Sequence, residues 1–171
     1  DQEASANNSD TSTASTTVNN TSSILVTARA EAYAQNGDAY ATDVTATGVF
    51  QYAHNAEDAS ALVDNTGDIH ATASGLAIST YEFAEASAYA FGVIQRASAN
   101  DSAGSSADAK ITNESLWSID ALANAKATGS SAYATASATG VIQRAQNAET
   151  ATALIDNNGS ISAEANATAL A

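Results

Sequence analysis

The chain has 171 residues, with 5 lysines and arginines against 19 aspartates and glutamates, a net charge of −14. That balance excludes nucleic-acid binding, which neutralises phosphate with Lys and Arg, and it excludes attachment to an anionic membrane surface on the same ground. Hydrophobic residues make up 44% of the chain, much of it alanine, and proline, cysteine and methionine are absent. Disulfide and thiol chemistry are therefore excluded, and any core is built of small side chains. No apolar run is long enough to span a bilayer. The start at Asp1 is what a mature form after signal removal, or a piece of a longer protein, presents.

Residues 1–17 are Asp, Ser, Thr, Asn and Ala without periodicity. They read as a polar segment that a neighbouring subunit orders. Residues 18–171 read as a single repeat domain. Val18-Asn19-Asn20-Thr21-Ser22-Ser23-Ile24 is its first turn marker, and Ala28, Ala30, Ala32 and Ala34 then alternate with other residues up to a turn at Gln35-Asn36-Gly37-Asp38. Gly48-Val49-Phe50-Gln51 and Val63-Asp64-Asn65-Thr66-Gly67-Asp68-Ile69 follow. The next copy carries alternating alanines from Ala84 to Ala90, then Gly92-Val93-Ile94-Gln95-Arg96, and a degenerate turn from Ile111 to Ile119 that holds Trp117. The last carries Ala132 to Ala138, Gly140-Val141-Ile142-Gln143-Arg144, the turn Ile155-Asp156-Asn157-Asn158-Gly159-Ser160-Ile161, and alternating alanines from Ala163 to Ala171.

Gly48, Gly92 and Gly140 are 44 and 48 residues apart, and the Asn-containing turns keep the same period. Two markers sharing one period identify tandem repeats, approximately 18–62, 63–110 and 111–154 with a partial 155–171. Alanine at every second position puts one face of a strand inside. A helix is the competing reading for alanine-rich sequence, but this spacing leaves no continuous apolar stripe on one. The expected fold is all-β, a β-solenoid resembling a parallel β-helix, with strands of about nine residues and a thin alanine interior. Glycine markers that alternate near 19 and 25 residues apart favour two short rungs per period. Phe50 and Ala53, like Ile142 and Ala145, are three apart, which predicts a bulge that returns both to the inside.

In such a stack Gln51, Gln95 and Gln143 fall in register, as do Asn65, Asn113 and Asn157, and form side-chain amide ladders. The Asn-Gly turns between alternating strands resemble the repeats of secreted bacterial β-helix adhesins of the autotransporter and filamentous-haemagglutinin kind. The run Val141-Ile142-Gln143-Arg144-Ala145-Gln146-Asn147-Ala148 is also similar to the curlin repeat of bacterial amyloid fibres. It departs from that repeat in its longer period, a Gln-to-Asn spacing shorter by one, and alanine in place of glycine. The resemblance implies an extracellular or cell-surface, fibre-related role.

His54 and His70 occupy different positions of the repeat, with no metal-ligand spacing between them, and no nucleophile–base arrangement or phosphate loop recurs. An enzyme is not expected. No cofactor is implied except calcium, for which Asp64, Asp68 and Asp156 at the turns are the candidate oxygen ligands. Asn7, Asn19, Asn100, Asn113 and Asn166 stand in glycosylation sequons. Strand edges at Val18, Ile24 and Val26 and at Ile161, Ala163 and Ala165 are templates for another chain, and the partner they favour is a second copy, head to tail. The function expected is a self-assembling filament or matrix subunit, with the stalk or binding fragment of a large surface adhesin as the alternative.

Overall fold

Strict side-chain alternation with alanine inside produces strands throughout. The computed structural model describes residues 1–6, 12–100 and 103–171, and among them every regular element is a strand. Sheet A runs in the order β1 (Gln2–Ser5), β4 (Ala39–Ala56), β7 (Phe83–Ala99), β10 (Ser131–Gln146). Sheet B runs β2 (Thr13–Asn20), β5 (Asp58–Asn65), β8 (Ser106–Asn113), β11 (Thr150–Asn157). Sheet C runs β3 (Ser23–Ala34), β6 (Asp68–Ser79), β9 (Ser118–Thr128), β12 (Ser160–Leu170). All pairs are parallel. The chain visits B, C and A in turn, so three consecutive strands make one turn of a β-solenoid.

Val49 lies beside Val93, and Val93 beside Val141. One sequence period is thus one solenoid turn, not two short rungs; the closely spaced glycines mark two corners of the same turn. The three strands of a turn are unequal. Those of sheet B have 8 residues, those of sheet C 11 or 12, and the full-length ones of sheet A 16 to 18. The long A strand returns over both of the others. Its first half packs on sheet C through alanines such as Ala73, Ala88, Ala90 and Ala123, and its second half on sheet B through Ala53, Ala59, Ala97 and Ala107. Where the three sheets meet there is room for larger groups, and Val49, Val63, Ile69, Val93, Ile111 and Ile119 fill it.

The Gly-Val step is the corner that divides the two halves of an A strand. A Cβ on Gly92 would sit 2.4 Å from the carbonyl oxygen of Gly140 and 2.6 Å from Cγ2 of Ile119. Gly92 and Val93 both face inward, and only glycine permits two successive inward residues at this packing distance. The parity switch therefore falls at Gly-Val. Val49 and Val93 are buried, Gln51 and Gln95 are buried, and Phe50, Ile94 and Ile142 between them turn to the outer face of sheet A. This corrects the expectation that Phe50 and Ile142 point inside. A second parity adjustment, in β4, is a bulge between Ala41 and Val44, where Asp43 has φ 57° and donates its backbone N–H to Ser87 Oγ at 2.8 Å.

Residues 13–17 belong to β2, and Gln2–Ser5 pair with β4 of the same chain. The chain's own fold orders these parts of the N-terminal segment. The full turns run β2 to β4, β5 to β7 and β8 to β10, with β11 and β12 as a partial turn, so the boundaries fall at the A-to-B corners. The degenerate third B-to-C turn has Leu116 at φ 83°, with Leu116 and Trp117 both exposed. Of the sequons, Asn7 lies outside the described residues, and Asn113 is fully buried and cannot be a glycan acceptor in the folded chain.

Gly92→Ala is expected to lower the unfolding free energy by about 1–3 kcal/mol or more, since the added methyl meets the Gly140 backbone carbonyl, which cannot turn away, as well as the buried Ile119 side chain. Urea denaturation followed by circular dichroism measures it; a midpoint equal to that of the wild type contradicts the packing described.

Candidate assembly interface

Parallel register places identical residues one strand apart, about 4.8 Å, which is the spacing that lets one amide reach the next. In the glutamine column Gln143 Nε2 donates to Gln95 Oε1 at 2.9 Å, Gln95 Nε2 to Gln51 Oε1 at 2.8 Å, and Gln51 Nε2 to Gln2 Oε1 at 3.2 Å. The second proton of each donating amide goes to a sheet B carbonyl, that of Leu154, Lys110 or Leu62. In the asparagine column Asn20 Nδ2 donates to Asn65 Oδ1, Asn65 to Asn113 and Asn113 to Asn157, each at 2.7 Å. Gln51, Gln95, Asn65 and Asn113 are fully buried, so these bonds satisfy groups that water cannot reach. The two ladders run in opposite senses, the glutamines donating toward β1 and the asparagines toward β11. Extra carbonyl acceptors for Asn20 (Asp68) and Asn113 (Ser160) hold the same orientation.

Gln2 and Asn20 extend the ladders beyond the six residues named from the sequence. Gln2 had a signal there: Gln2-Glu3-Ala4 repeats the Gln-x-Ala of Gln51, Gln95 and Gln143.

The edge residues lie at the two ends of the stack. Val18 in β2 and Ile24 and Val26 in β3 are half-buried at one end; at the other Ile161 in β12 is half-buried and Ala163 and Ala165 are exposed. Their counterparts inside the stack, Val63, Ile69, Ile119 and Ala123, are 0% exposed. Ile155 shows the contrast most clearly, 43% exposed against 0% for Ile111, its partner in register. Leu154 and Leu170 are also open, at 46% and 51%.

The three calcium candidates are not brought together. Asp64 and Asp156 stand in one outward column with Thr112 between them, and Asp68 lies beyond the turn, where it accepts from the backbone N–H of Ser118 at 3.1 Å. Among the described residues no group of three or more acidic, histidine or cysteine side chains is gathered as a metal site. The histidines are placed apart. His54 Nε2 is 2.9 Å from Glu3 Oε1 and its ring stacks on Tyr52, whereas His70 Nδ1 is 3.0 Å from Asp120 Oδ2 on sheet C. Ser118 and Ser162 donate to Asp120 rather than to the imidazole, so this is a surface network without an activated nucleophile. Tyr40 donates to Asp38 Oδ2 at 2.9 Å, and that hydrogen bond holds its hydroxyl pKa above the usual tyrosine value.

Asn65→Leu leaves the Asn20 amide without its ladder acceptor and Asn113 Oδ1 without its donor; at roughly 1–3 kcal/mol for each unpaired buried group, a loss of about 3 kcal/mol is expected by urea denaturation. Asn65→Asp is the isosteric companion. Its buried carboxyl has no cation beside it, so folding raises its pKa. The protonated acid can still donate to Asn113, and the penalty therefore grows as pH rises through the ordinary aspartate range. Denaturation at pH 3.5 and pH 7, each referred to wild type at the same pH, checks the sign. Comparison of the chain with protein-family models, with curated proteins and with solved structures gives no match in any of the three.

Proposed function

We propose that the chain is a non-enzymatic structural subunit of an extracellular self-assembling filament or matrix fibre, growing head to tail by adding solenoid turns. The observation that carries this reading is the repetition of like residues in register from turn to turn, with glutamine and asparagine ladders that pass a hydrogen bond from each turn to the next. Ile155 is 43% exposed where Ile111 is sealed, and covering what remains open of it with a further turn gains on the order of 1 kcal/mol. The unpaired backbone edges of β2 and β3 at one end and of β11 and β12 at the other gain hydrogen bonds in the same step. The extracellular placement rests on the resemblance to secreted β-helix and curlin repeats.

A second reading is the stalk or binding fragment of a surface adhesin. It is favoured by the outward stripe on sheet A, where Phe50, Ile94 and Ile142 stand in register beside Tyr52, Arg96 and Arg144. Such a stripe is a contact surface that a pure spacer does not need.

Negative-stain electron microscopy of the purified chain, with and without calcium, separates the two. Uniform filaments of solenoid width support the subunit; monodisperse short rods in both conditions favour the stalk. Because like charge opposes association in a chain of net charge −14, filament growth is expected to speed up severalfold between about 20 and 500 mM NaCl, as the Debye length falls. Growth that slows with salt contradicts apolar burial as the driving force.

A further inference from the structure

Charge and aromatic side chains are distributed unevenly around the solenoid. All the aromatic residues except Tyr33, Tyr81 and Trp117 stand on the outer face of sheet A. Over sheet B that face carries Phe50, Ile94 and Ile142 in one column, and Tyr52, Arg96 and Arg144 in a parallel one. Residues 49–56, 93–99 and 141–146 include both of these arginines and no acid. The outer face of sheet B is the reverse. Asp58, Asp64, Asp108 and Asp156 are all exposed there, and Lys110 is the single cation on its strands.

The second halves of the A strands pack on sheet B through alanines, so a basic, apolar face and an acidic face lie back to back in the same half of the molecule. We infer that two copies associate side by side, the Arg96–Arg144 face of one seated on the outer face of sheet B of the next. The joint runs across the solenoid axis and uses the faces of strands, not their edges. It is therefore independent of which strands lie above or below, and of head-to-tail growth.

Charge is the first argument for a second copy as the occupant. Arg96 and Arg144 are neighbours in register, both exposed, and neither is in an ion pair among the described residues. Stacked like charges repel, and a chain of net charge −14 has acids in plenty to answer them. Sheet C does so on its own surface, where Arg29 pairs with Glu31. On sheet A the answering acids stand on the far side of the slab. Asp64 and Asp108, in two successive turns, are also outside any ion pair among the described residues.

Shape is the second argument. Each sheet B strand has 8 residues, the length of β4 from Val49 to Ala56. Both faces repeat at the same strand spacing of about 4.8 Å, so their columns run alongside one another. Four strands of this length present on the order of 500 Å² per face, a joint near the roughly 1,000 Å² total at which specific contacts begin. Phe50, Ile94 and Ile142 leave water in it, and Leu62 gives the acidic face an apolar seat. The two surfaces differ, so a copy that has used its sheet A face still offers its sheet B face, and the contact propagates into rows.

The test reverses charge on one face at a time in the 171-residue chain. Arg96→Glu with Arg144→Glu, and separately Asp64→Lys with Asp108→Lys, are each expected to raise the Kd of side-by-side association about tenfold or more in sedimentation, the scale of two reversed exposed pairs. The aspartate variant makes the chain less negative, so general repulsion alone would strengthen its association. An equimolar mixture of the two variants restores association, because the acidic face of the first meets the basic face of the second; that rescue also shows both to be folded. Electron micrographs then show rows for the wild type and the mixture, and separate rods for either variant alone. Wild-type rods that never lie side by side, rows that both variants form as readily as the wild type, or a mixture that stays dispersed overturn the joint. Filaments one solenoid wide in any of those cases leave the head-to-tail reading standing, whereas rows of short rods without elongation support the joint and overturn head-to-tail growth.

Discussion

Everything in this fold depends on the strand-to-strand register of parallel pairing, which repeats at one solenoid turn. Backbone hydrogen bonds hold each residue about 4.8 Å above its counterpart one period away, so every side chain has the equivalent side chain of the next turn as its neighbour, and in the inward columns that neighbour is a near-copy of itself. A column must then tolerate self-stacking. Alanine does so by being small, Val and Ile by packing flank to flank at the three-sheet junction, and Gln and Asn by donating to and accepting from the same group. Charge is the residue class that self-stacking penalises, and the chain keeps most of it in outward columns where the identity changes from turn to turn, as in Leu25, His70, Asp120 and Ser162.

The small interior has an energetic corollary. Each buried alanine methyl contributes on the order of 0.8 kcal/mol, far less than a conventional core residue. Stability is carried by uninterrupted backbone ladders, by the six-residue Val and Ile cluster, and by amides that are fully paired. Such a core is intolerant in a particular way. It has little flexible bulk to rearrange, so a group added at Gly92 or removed at Asn65 meets either backbone or an orphaned amide.

Much of this was legible before any coordinates. The period-two alanines specified strands, and the paired markers specified a repeat, because both reflect backbone geometry that sequence spacing records directly. What escaped was information that lives between turns. Gly48, Gly67 and Gly92 look like equivalent turn signals in sequence, but Gly67 is at the B-to-C corner and Gly92 is inside sheet A, so counting them as rung boundaries halves the turn. Phe50 and Ile142 were drawn inward by their hydrophobicity, whereas Gly-Val had already switched the parity. The ladder was readable through its recurring Gln and Asn, but Gln2 was hidden in a polar stretch because Gln-x-Ala alone is too short a marker to stand out there.

The opposed sense of the two amide ladders has an electrical consequence. In a single ladder every turn adds a side-chain dipole pointing the same way, and a long stack accumulates a field at its tips. Here each turn adds one glutamine dipole and one asparagine dipole that point oppositely along the axis, so lengthening leaves the ladder contribution near zero. A stack of many turns therefore carries the same local donor and acceptor pattern at its ends as a stack of few, and the ladders set no electrostatic limit on the number of turns a solenoid of this kind can hold.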